Sequence, residues 1–453
     1  MVDVIVLGNI ITMDTNNTII QGGAIAIDSK KIIDIGKSDV IKHNYTADII
    51  LGNDRSIIIP GIINSHTHLA MTLFRGLIEG LTGSDWLDLA WSIESNLSDK
   101  DVYYGTMLGI IQMIRSGTTC FIDHYYHMDQ VALAVEKSGI RGALAETIMD
   151  FNNDQKGAEL VDKGKKFVER WNGKAEGRIK CLMGPHSTVT CSPNTLRNIN
   201  EMAQDLNVPV HIHLQENRDE LLKIKNMWGE RPIGLLEKLG LLNNNLLAAH
   251  VTFLSDDELN LLSKRQVNVA TCVYGKMKGG QGIARIKEML GLGINVSLAT
   301  DGAATHNNLD MFEEMKFAIA AQSVKYKKPN AITAEQALKM ATINGAKDIH
   351  MDNLFGSIEV GKDADLVIIN GSSAKALPYH NYPSLVAQTF SGDDVTDVII
   401  QGRIIMKDKK ILTIDETDTL TNAENHFMEL MNKSNIQPTE KSFLRITNST
   451  KTV

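Results

Sequence analysis

Eight short apolar runs alternate with amphipathic segments over residues 61–355, and this alternation limits the possible folds more than any other feature. Parallel strands joined by crossover helices produce such a pattern. The runs are, in order, IINSHTH, TTCFID, IRGALAE, IKCLMGPHS, VPVHIHLQE, LLAAHVTFL, VNVATCVYG and NVSLATDGA. Because eight strand–helix units close a barrel, we predict an α/β fold: a (β/α)₈ barrel of the TIM-like kind over residues 61–355.

The two ends of the chain resemble each other and differ from the middle. Residues 1–60 contain the short strand-like runs VDVIVLG, AIAID, KIIDIG and SIIIP, and similar runs return after residue 355 in ADLVIIN, VTDVIIQGRIIM and KKILTID. We predict that residues 1–60 and 356–415 form one small composite β-sandwich domain. Separate edge strands on the barrel are the alternative. Residues 416–453 are predicted to form a C-terminal helix and a tail.

Composition favours a cytoplasmic protein that acts on small molecules. The formal net charge of -8 argues against nucleic acid or an anionic membrane as the main partner. The four cysteines contain no CxxC pair, which indicates reduced thiols rather than a disulfide framework or a zinc ribbon. The N-terminus has no basic region before its apolar run, and no apolar stretch reaches the ~18 residues of a membrane helix.

Polar residues lie at the carboxyl ends of the predicted strands, where barrels of this kind assemble their active sites. His66 and His68 are two apart on one strand, so both side chains point to the same face. His213 ends the fifth strand, and Asp301 ends the eighth. Imidazole and carboxylate ligands suit one divalent ion, which we predict to be Zn²⁺, with Fe²⁺ as the alternative.

Neighbouring positions limit the site to a single metal. His211 lies deeper in the fifth strand than His213, so we expect it to support a ligand rather than to be one. The fourth strand ends in His186, and its only lysine, Lys180, lies six residues earlier, about 20 Å away along an extended strand. We therefore expect no lysine to bridge two metals.

The same strand ends supply groups for acid–base chemistry. Water bound to such an ion can have a pKa of about 7, which makes hydroxide available at neutral pH. We predict that Asp301 accepts the proton of this water and that Glu216 carries a proton to the substrate and then to the leaving group. His250, at the end of the sixth strand, would orient the nucleophile and stabilise developing charge.

Four segments resemble the amidohydrolase superfamily, and within it the branch of methylthioadenosine/S-adenosylhomocysteine deaminases and chlorohydrolases. They are PGIINSHTHLAMTLFRGL, HIHLQE, LAAHVTF and TDGAATHNNLDMFEEM. The resemblance implies that Glu94 binds the ribose hydroxyls of a nucleoside and that His186 contacts the nucleoside. It also implies that Trp86 lines the pocket, although a tryptophan on a barrel helix is as often plain packing.

Three positions depart from the branch. Glu146 stands where relatives that use S-adenosylhomocysteine can offer an arginine to the carboxylate, so a neutral or cationic substrate tail is expected if Glu146 faces the pocket. After the seventh strand, CVYGKMKGGQGIARI replaces the usual proline and Ser-Asn-Met/Leu-Lys-Leu run, which suggests a mobile basic loop with Lys276 and Lys278 or a solvated surface loop. His306 replaces an asparagine and could lie in the pocket or on the surface.

The function predicted from these features is zinc-dependent hydrolytic deamination of an amino-purine nucleoside, with release of ammonia. The expected substrates resemble 5′-methylthioadenosine or adenosine, with S-adenosylhomocysteine also considered. The alternative keeps the metal site but acts on a free base or another amino- or halo-heterocycle, such as guanine, 8-oxoguanine or an s-triazine. A non-catalytic barrel that serves as a scaffold is a third hypothesis. A homo-oligomer is expected only by analogy with relatives.

Overall fold

A computed structural model describes residues 1–81 and 83–435 of the chain, without the side chain of Ser84. The predicted tail after residue 435 lies outside the described residues. The chain begins with four strands that belong to a sheet outside the barrel. They are β1 (Val2–Ile11), β2 (Ile19–Asp28), β3 (Lys31–Lys37) and β4 (Ala47–Pro60).

The next eight strands form one parallel sheet in chain order, which confirms the predicted barrel. They are β5 (Ile62–Thr67), β6 (Thr118–Tyr125), β7 (Arg141–Ile148), β8 (Ile179–Pro185), β9 (Val210–Leu214), β10 (Leu246–His250), β11 (Asn268–Thr271) and β12 (Val296–Leu298). The first and last strands meet through side-chain and main-chain bonds. Asn64 donates to the Thr300 hydroxyl at 2.7 Å, and the Asp301 amide donates to the His66 carbonyl at 3.0 Å. These bonds close the barrel next to the predicted metal ligands.

Helices cover the outside of the barrel, and several begin with a side-chain cap. Ser98, Ser255 and Thr333 each form a capping box with the residue three positions later. The longer helices, of ten residues or more, are Gly83–Glu94, Asp99–Arg115, Met128–Ser138, Asp154–Trp171, Pro193–Leu206, Arg218–Trp228, Asp256–Arg265, Met311–Tyr326 and Glu416–Ser434. The shorter ones include Ser38–Asn44, Pro232–Lys238, Val273–Lys278, Ile286–Gly291, Ala303–His306, Ala334–Met340 and Ile343–Asp348. Among the described residues, no helix is long and apolar enough to span a membrane.

The C-terminal strands complete the sheet that the N-terminal strands begin. They are β13 (Leu366–Ile369), β14 (Val395–Ile400), β15 (Arg403–Lys407) and β16 (Lys410–Ile411). The strand order is β16-β15-β14-β13-β4-β1-β2-β3, and β13 pairs antiparallel with β4. Both termini therefore contribute to one mixed sheet, as predicted. The exact boundaries of the composite domain stay a prediction.

Arg141 fastens this terminal sheet to the barrel. It is the first residue of β7, and its guanidinium donates to Asp365 at 2.6 and 3.0 Å and to Asp363 at 2.8 Å. The same guanidinium lies 4.5 Å from the centre of the Phe355 ring. All three charged side chains are buried, so each needs the others to offset the loss of solvation. This group of three lies at the amino-terminal end of the strands, opposite the predicted active site.

Replacing Arg141 by Met should destabilise the protein strongly, because the buried Asp365 carboxylate would lose its cation and Asp363 would keep only its ion pair with the exposed Lys31. The expected loss is about 3–5 kcal/mol of unfolding free energy, measured by urea denaturation. Lys165→Met, which removes an exposed contact with Glu169, is the control and should leave the denaturation midpoint unchanged. A loss below about 1 kcal/mol for Arg141→Met would show that the ion pair does not hold the two sheets together.

Candidate active site

The four predicted metal ligands converge at the carboxyl ends of the barrel strands. Nε2 of His68 lies 3.3 Å from Nε2 of His213 and 3.5 Å from Oδ1 of Asp301. Nε2 of His66 lies 3.9 Å from the same Asp301 oxygen. Tetrahedral zinc with bonds of about 2.1 Å separates its ligand atoms by about 3.4 Å. The four donors therefore fit around one ion.

Main-chain carbonyls set the tautomers of two of these histidines. Nδ1 of His68 donates to the His124 carbonyl at 2.6 Å, and Nδ1 of His213 donates to the His186 carbonyl at 2.7 Å. A carbonyl oxygen can only accept, so each Nδ1 carries the ring proton. Both Nε2 atoms are consequently left with a lone pair that faces the centre of the group.

The third histidine is held by another histidine. Nδ1 of His66 lies 2.8 Å from Nε2 of His211, whose Nδ1 donates to the Leu247 carbonyl at 3.3 Å. Within the described part of the chain, Nε2 of His66 is buried and has no hydrogen-bond partner. Burial among the other imidazoles holds the pKa of His66 well below its usual range, so the ring is neutral. An orphaned, unprotonated nitrogen in this position fits a metal ligand.

Two residues at the strand ends have backbones in the left-handed region. Asp301 has φ of 67° and His250 has φ of 75°. Such conformations cost about 1–3 kcal/mol in a residue other than glycine and persist only where the surrounding structure enforces them. For Asp301, that enforcement includes the bond from its amide to the His66 carbonyl. The barrel thus turns the carboxylate toward the three histidines.

Glu216 and His250 lie together beside this group. The Glu216 carboxylate is 3.9 Å from Nε2 of His250 and forms an ion pair with Lys276. Burial raises the pKa of Glu216, but the positive charge of Lys276 and its hydrogen bond lower the net value to about 2. Burial and the same ammonium lower the pKa of His250 to about 4. At neutral pH the pair is therefore a carboxylate and a neutral imidazole.

A cavity of about 720 Å³ opens above these residues. Its size is typical of a site for a small organic ligand. Glu94, His186 and Trp86 all line it, as the family resemblance implies. The rest of its apolar surface is provided by Met71, Ile78, Leu81, Leu87, Trp91 and Tyr126, among others.

Glu94 and His186 have perturbed pKa values inside this cavity. Burial raises the pKa of Glu94 to about 7, and the neighbouring Tyr125 hydroxyl opposes the rise. Burial lowers the pKa of His186 to about 4, and its Nδ1 lies 3.0 Å from the Thr190 hydroxyl. A neutral His186 ring can offer either a donor or an acceptor to a ligand.

Glu146 is not in the cavity, which corrects the expectation that it could face the substrate. Its carboxylate accepts from the Met128 amide at 3.0 Å and forms an ion pair with Lys163 on the helix outside the barrel. The reason is strand alternation: the next residue, Thr147, lines the cavity, so Glu146 points to the opposite face. The chain therefore presents no charge from this strand to a substrate.

The segment after β11 is not a mobile loop at its start. Val273–Lys278 forms a short helix, which we call the strand-seven helix, and Lys276 on it is only 4% exposed. Lys278 reaches across the cavity mouth and donates to Glu79 at 2.9 Å. His306 lies neither in the cavity lining nor on the surface. Its Nε2 is 3.0 Å from the fully buried carboxylate of Glu314.

Two contacts in this site were missed from the sequence. The first is the ion pair between Lys276 and Glu216. These residues are 60 positions apart in the chain, so no local sequence pattern indicates the contact. The second is Cys272, which lies with His250 and Asp301 in a group whose candidate ligand atoms are within 4.8 Å of one another. Burial raises the pKa of the Cys272 thiol well above its usual range.

Comparisons with known proteins agree with this geometry. The model of the amidohydrolase family matches residues 57–405. The chain belongs to the amidohydrolase family. A 5′-deoxyadenosine deaminase from Methanosarcina barkeri is 41% identical to this amidohydrolase over 96% of the chain and 100% of the relative. A 5-methylthioadenosine/S-adenosylhomocysteine deaminase from Carboxydothermus hydrogenoformans is 38% identical over 94% and 98%, respectively.

Among solved structures, an adenosine deaminase from Xanthomonas campestris with bound zinc superposes on this amidohydrolase with a TM-score of 0.89. The two chains are 27% identical, and the match covers 95% of this chain and 99% of the other. The shared fold extends over both the barrel and the terminal sheet. A lysine that could bridge two metals would be expected at the end of β8. This strand instead ends at Pro185, next to His186, and Lys180 lies near its start. One divalent ion therefore remains the arrangement that fits the donors.

His211→Ala should weaken metal binding without removing any of the four ligands. The substitution deletes the acceptor that orients His66, so the zinc affinity is expected to fall by about 10–100-fold. Competition with a chromophoric chelator measures the affinity. His43→Ala, at an exposed histidine, is the control and should bind zinc like the original chain. Unchanged affinity in His211→Ala would show that His66 needs no support from the deeper histidine.

Proposed function

We propose that this amidohydrolase is a zinc-dependent hydrolytic deaminase of adenine nucleosides whose 5′ substituent is uncharged. Substrates of the 5′-deoxyadenosine and 5′-methylthioadenosine type fit this description. The observation that carries the proposal is that Glu216 and His250 line the same cavity as Glu94 and His186. One bound molecule could therefore contact both the acid–base residues, Glu216 and His250, and the residues suited to a nucleoside, Glu94 and His186. The names of the two relatives also support this substrate class.

His66, His68, His213 and Asp301 would hold the ion. When bound, zinc supplies Lewis acidity that makes water nucleophilic at neutral pH. The zinc present in the adenosine deaminase of similar fold supports this choice of metal. Iron(II) is the alternative, because it accepts the same imidazole and carboxylate ligands.

The proton movements belong to this chain's own residues. Asp301 accepts a proton from the attacking water, whose oxygen bonds to the carbon that carries the amino group. Glu216, a carboxylate at rest, takes up a proton of the water and carries it to the adjacent ring nitrogen. It then carries the second water proton, which Asp301 has accepted, to the amino group, which leaves as ammonia. His250 orients the water and stabilises the charge that develops at the attacked carbon. One water is consumed: the bond from the carbon to the amino nitrogen breaks, and the water oxygen becomes a carbonyl oxygen.

The remote part of the cavity would bind the sugar. Glu94 would accept hydrogen bonds from two ribose hydroxyls, and His186 would contact the nucleoside. Trp86 supplies a flat apolar surface beside them. Burial raises the pKa of Glu94 to about 7, and hydroxyl donors would offset that burial. Discrimination for ribose over a free base follows from these contacts.

The charges around the cavity argue against a substrate with a carboxylate tail. Among the described residues, no arginine lines the cavity, although arginine is the side chain best shaped to bind a carboxylate. Glu79, Asp88 and Asp219 do line it. Of the lysines that line it, Lys278 is paired with Glu79 and Lys276 with Glu216, which leaves Lys223 without an ion pair among the described residues. The amino-acid portion of S-adenosylhomocysteine would thus meet more negative than free positive charge.

Ammonia release by the zinc-loaded protein tests the proposal directly. The panel is adenosine, 5′-deoxyadenosine, 5′-methylthioadenosine, S-adenosylhomocysteine, guanine, 8-oxoguanine, cytosine and an amino-triazine. We expect the highest kcat/KM for the neutral adenosine derivatives and a value at least about tenfold lower for S-adenosylhomocysteine. Turnover of guanine, 8-oxoguanine or the triazine with silence on every nucleoside would refute the nucleoside assignment. A protein that binds no metal and turns over nothing would support the scaffold hypothesis.

Glu216→Gln should keep the fold and the metal but lose turnover, because the amide cannot carry the proton. The expected fall in kcat is about 10²–10⁴-fold, the usual contribution of a positioned acid–base group. Zinc content and the thermal midpoint, measured on the same samples, establish that the site is intact. Near-normal ammonia release from this variant would assign the proton transfer to another residue.

A further inference from the structure

Lys276 is a buried ammonium group beside the proposed proton carrier. Its side chain is 5% exposed, and its Nζ contacts two acceptors: the Glu216 carboxylate and Oε1 of Gln281, the latter at 3.1 Å. Lysine is rarely buried to this extent, because removing its charge from water is costly unless a partner compensates. The contact with Glu216 is therefore a built feature of the fold rather than a chance surface pair.

Hydrogen bonds to Glu314 hold the start of the strand-seven helix, which carries Lys276. The amides of Val273 and Tyr274 donate to the Glu314 carboxylate at 3.0 and 3.1 Å, and His306 contacts the same carboxylate at 3.0 Å. On the other side, the Gln281 amide donates to the Lys276 carbonyl at 2.9 Å. The strand-seven helix is thus held at both ends, which leaves its lysine little freedom to move away from Glu216.

The Glu216 carboxylate is faced by Lys276 and by three other titratable groups. The other titratable groups that face Glu216 are His250, His186 and Glu220, whose carboxylate accepts the Glu216 amide at 2.9 Å. Among the described residues, Lys276 is the only hydrogen-bond donor to the Glu216 carboxylate.

We propose that Lys276 is a positioning residue that holds the ionised Glu216 carboxylate in the orientation that proton transfer requires. The inference rests on the proposed function, in which Glu216 carries the proton. In this proposal Lys276 acts through Glu216 rather than on the substrate, although its side chain also lines the cavity. Proton transfer requires the carboxylate within hydrogen-bond reach of its target, and a misplacement of about 1 Å can cost about 100-fold in rate. Lys276 keeps the carboxylate both charged and pointed into the cavity before substrate arrives.

Two substitutions separate the charge from the bulk of the side chain. Lys276→Met keeps an unbranched chain without the ammonium, and kcat is expected to fall by about 100-fold while KM changes by less than about threefold. Lys276→Arg restores a cation and is expected to recover kcat to within about tenfold of the original chain. A normal kcat in Lys276→Met would overturn the proposal. So would a change confined to KM, which would make Lys276 a substrate-binding residue.

Lys163→Met is the matched control. It also removes a lysine from a buried glutamate, Glu146, but on the outer face of the barrel. Its kcat should equal that of the original chain even if its thermal midpoint falls. An equal loss of kcat in Lys163→Met and Lys276→Met would mean that both act through stability, and the positioning role would be refuted.

A crystal structure of zinc-loaded Lys276→Met tests the inference without any reaction. The Glu216 side chain is expected to turn away from His250, because its hydrogen-bond donor is gone. An unchanged Glu216 conformation would overturn the positioning role even if the original chain is an active deaminase. Conversely, a Glu216 that moves in a protein whose original form releases no ammonia would support the role of Lys276 while refuting the proposed function.

Discussion

Hydrogen bonds on the far side of the ligand histidines are the interactions on which the site depends. Because main-chain carbonyls accept from Nδ1 of His68 and His213, both rings present an unprotonated Nε2 to the same point. His211 has the same effect on His66. The carbonyls of His124 and His186 lie on or next to the strand beside their histidine, whereas His211 on β9 reaches His66 on β5 from across the barrel. The metal-binding geometry is therefore a property of the barrel itself. Any change that shifts one strand relative to the next would move a ligand.

The architecture separates stability from chemistry. Arg141 joins the terminal sheet to the barrel at the amino-terminal ends of the strands, whereas the cavity opens at their carboxyl ends. Backbone strain occurs at the carboxyl ends of the strands, where Asp301 and His250 adopt left-handed backbone angles. A closed barrel tolerates this cost because strand pairing and burial below it supply the compensating free energy.

The segment after β11 contributes charge to the site, because it places the buried Lys276 ammonium on Glu216. Lys276 and Glu146 are both buried charged residues, yet their side chains point in different directions. Lys276 points toward Glu216 at the cavity, whereas Glu146 points to the outer face of the barrel. The direction depends on helix packing for Lys276 and on strand register for Glu146. Residue type alone did not assign either role.

The sequence by itself determined the barrel and the mixed sheet built from both termini, and it supplied the proposed ligand set His66, His68, His213 and Asp301. These follow from local periodicity and from the fact that parallel strands end at one rim. Only the tertiary structure decided that Glu146 faces outward, that His306 pairs with Glu314, and that Lys276 reaches Glu216. Those contacts join residues from separate strand–helix units, and their geometry depends on packing that no local pattern encodes.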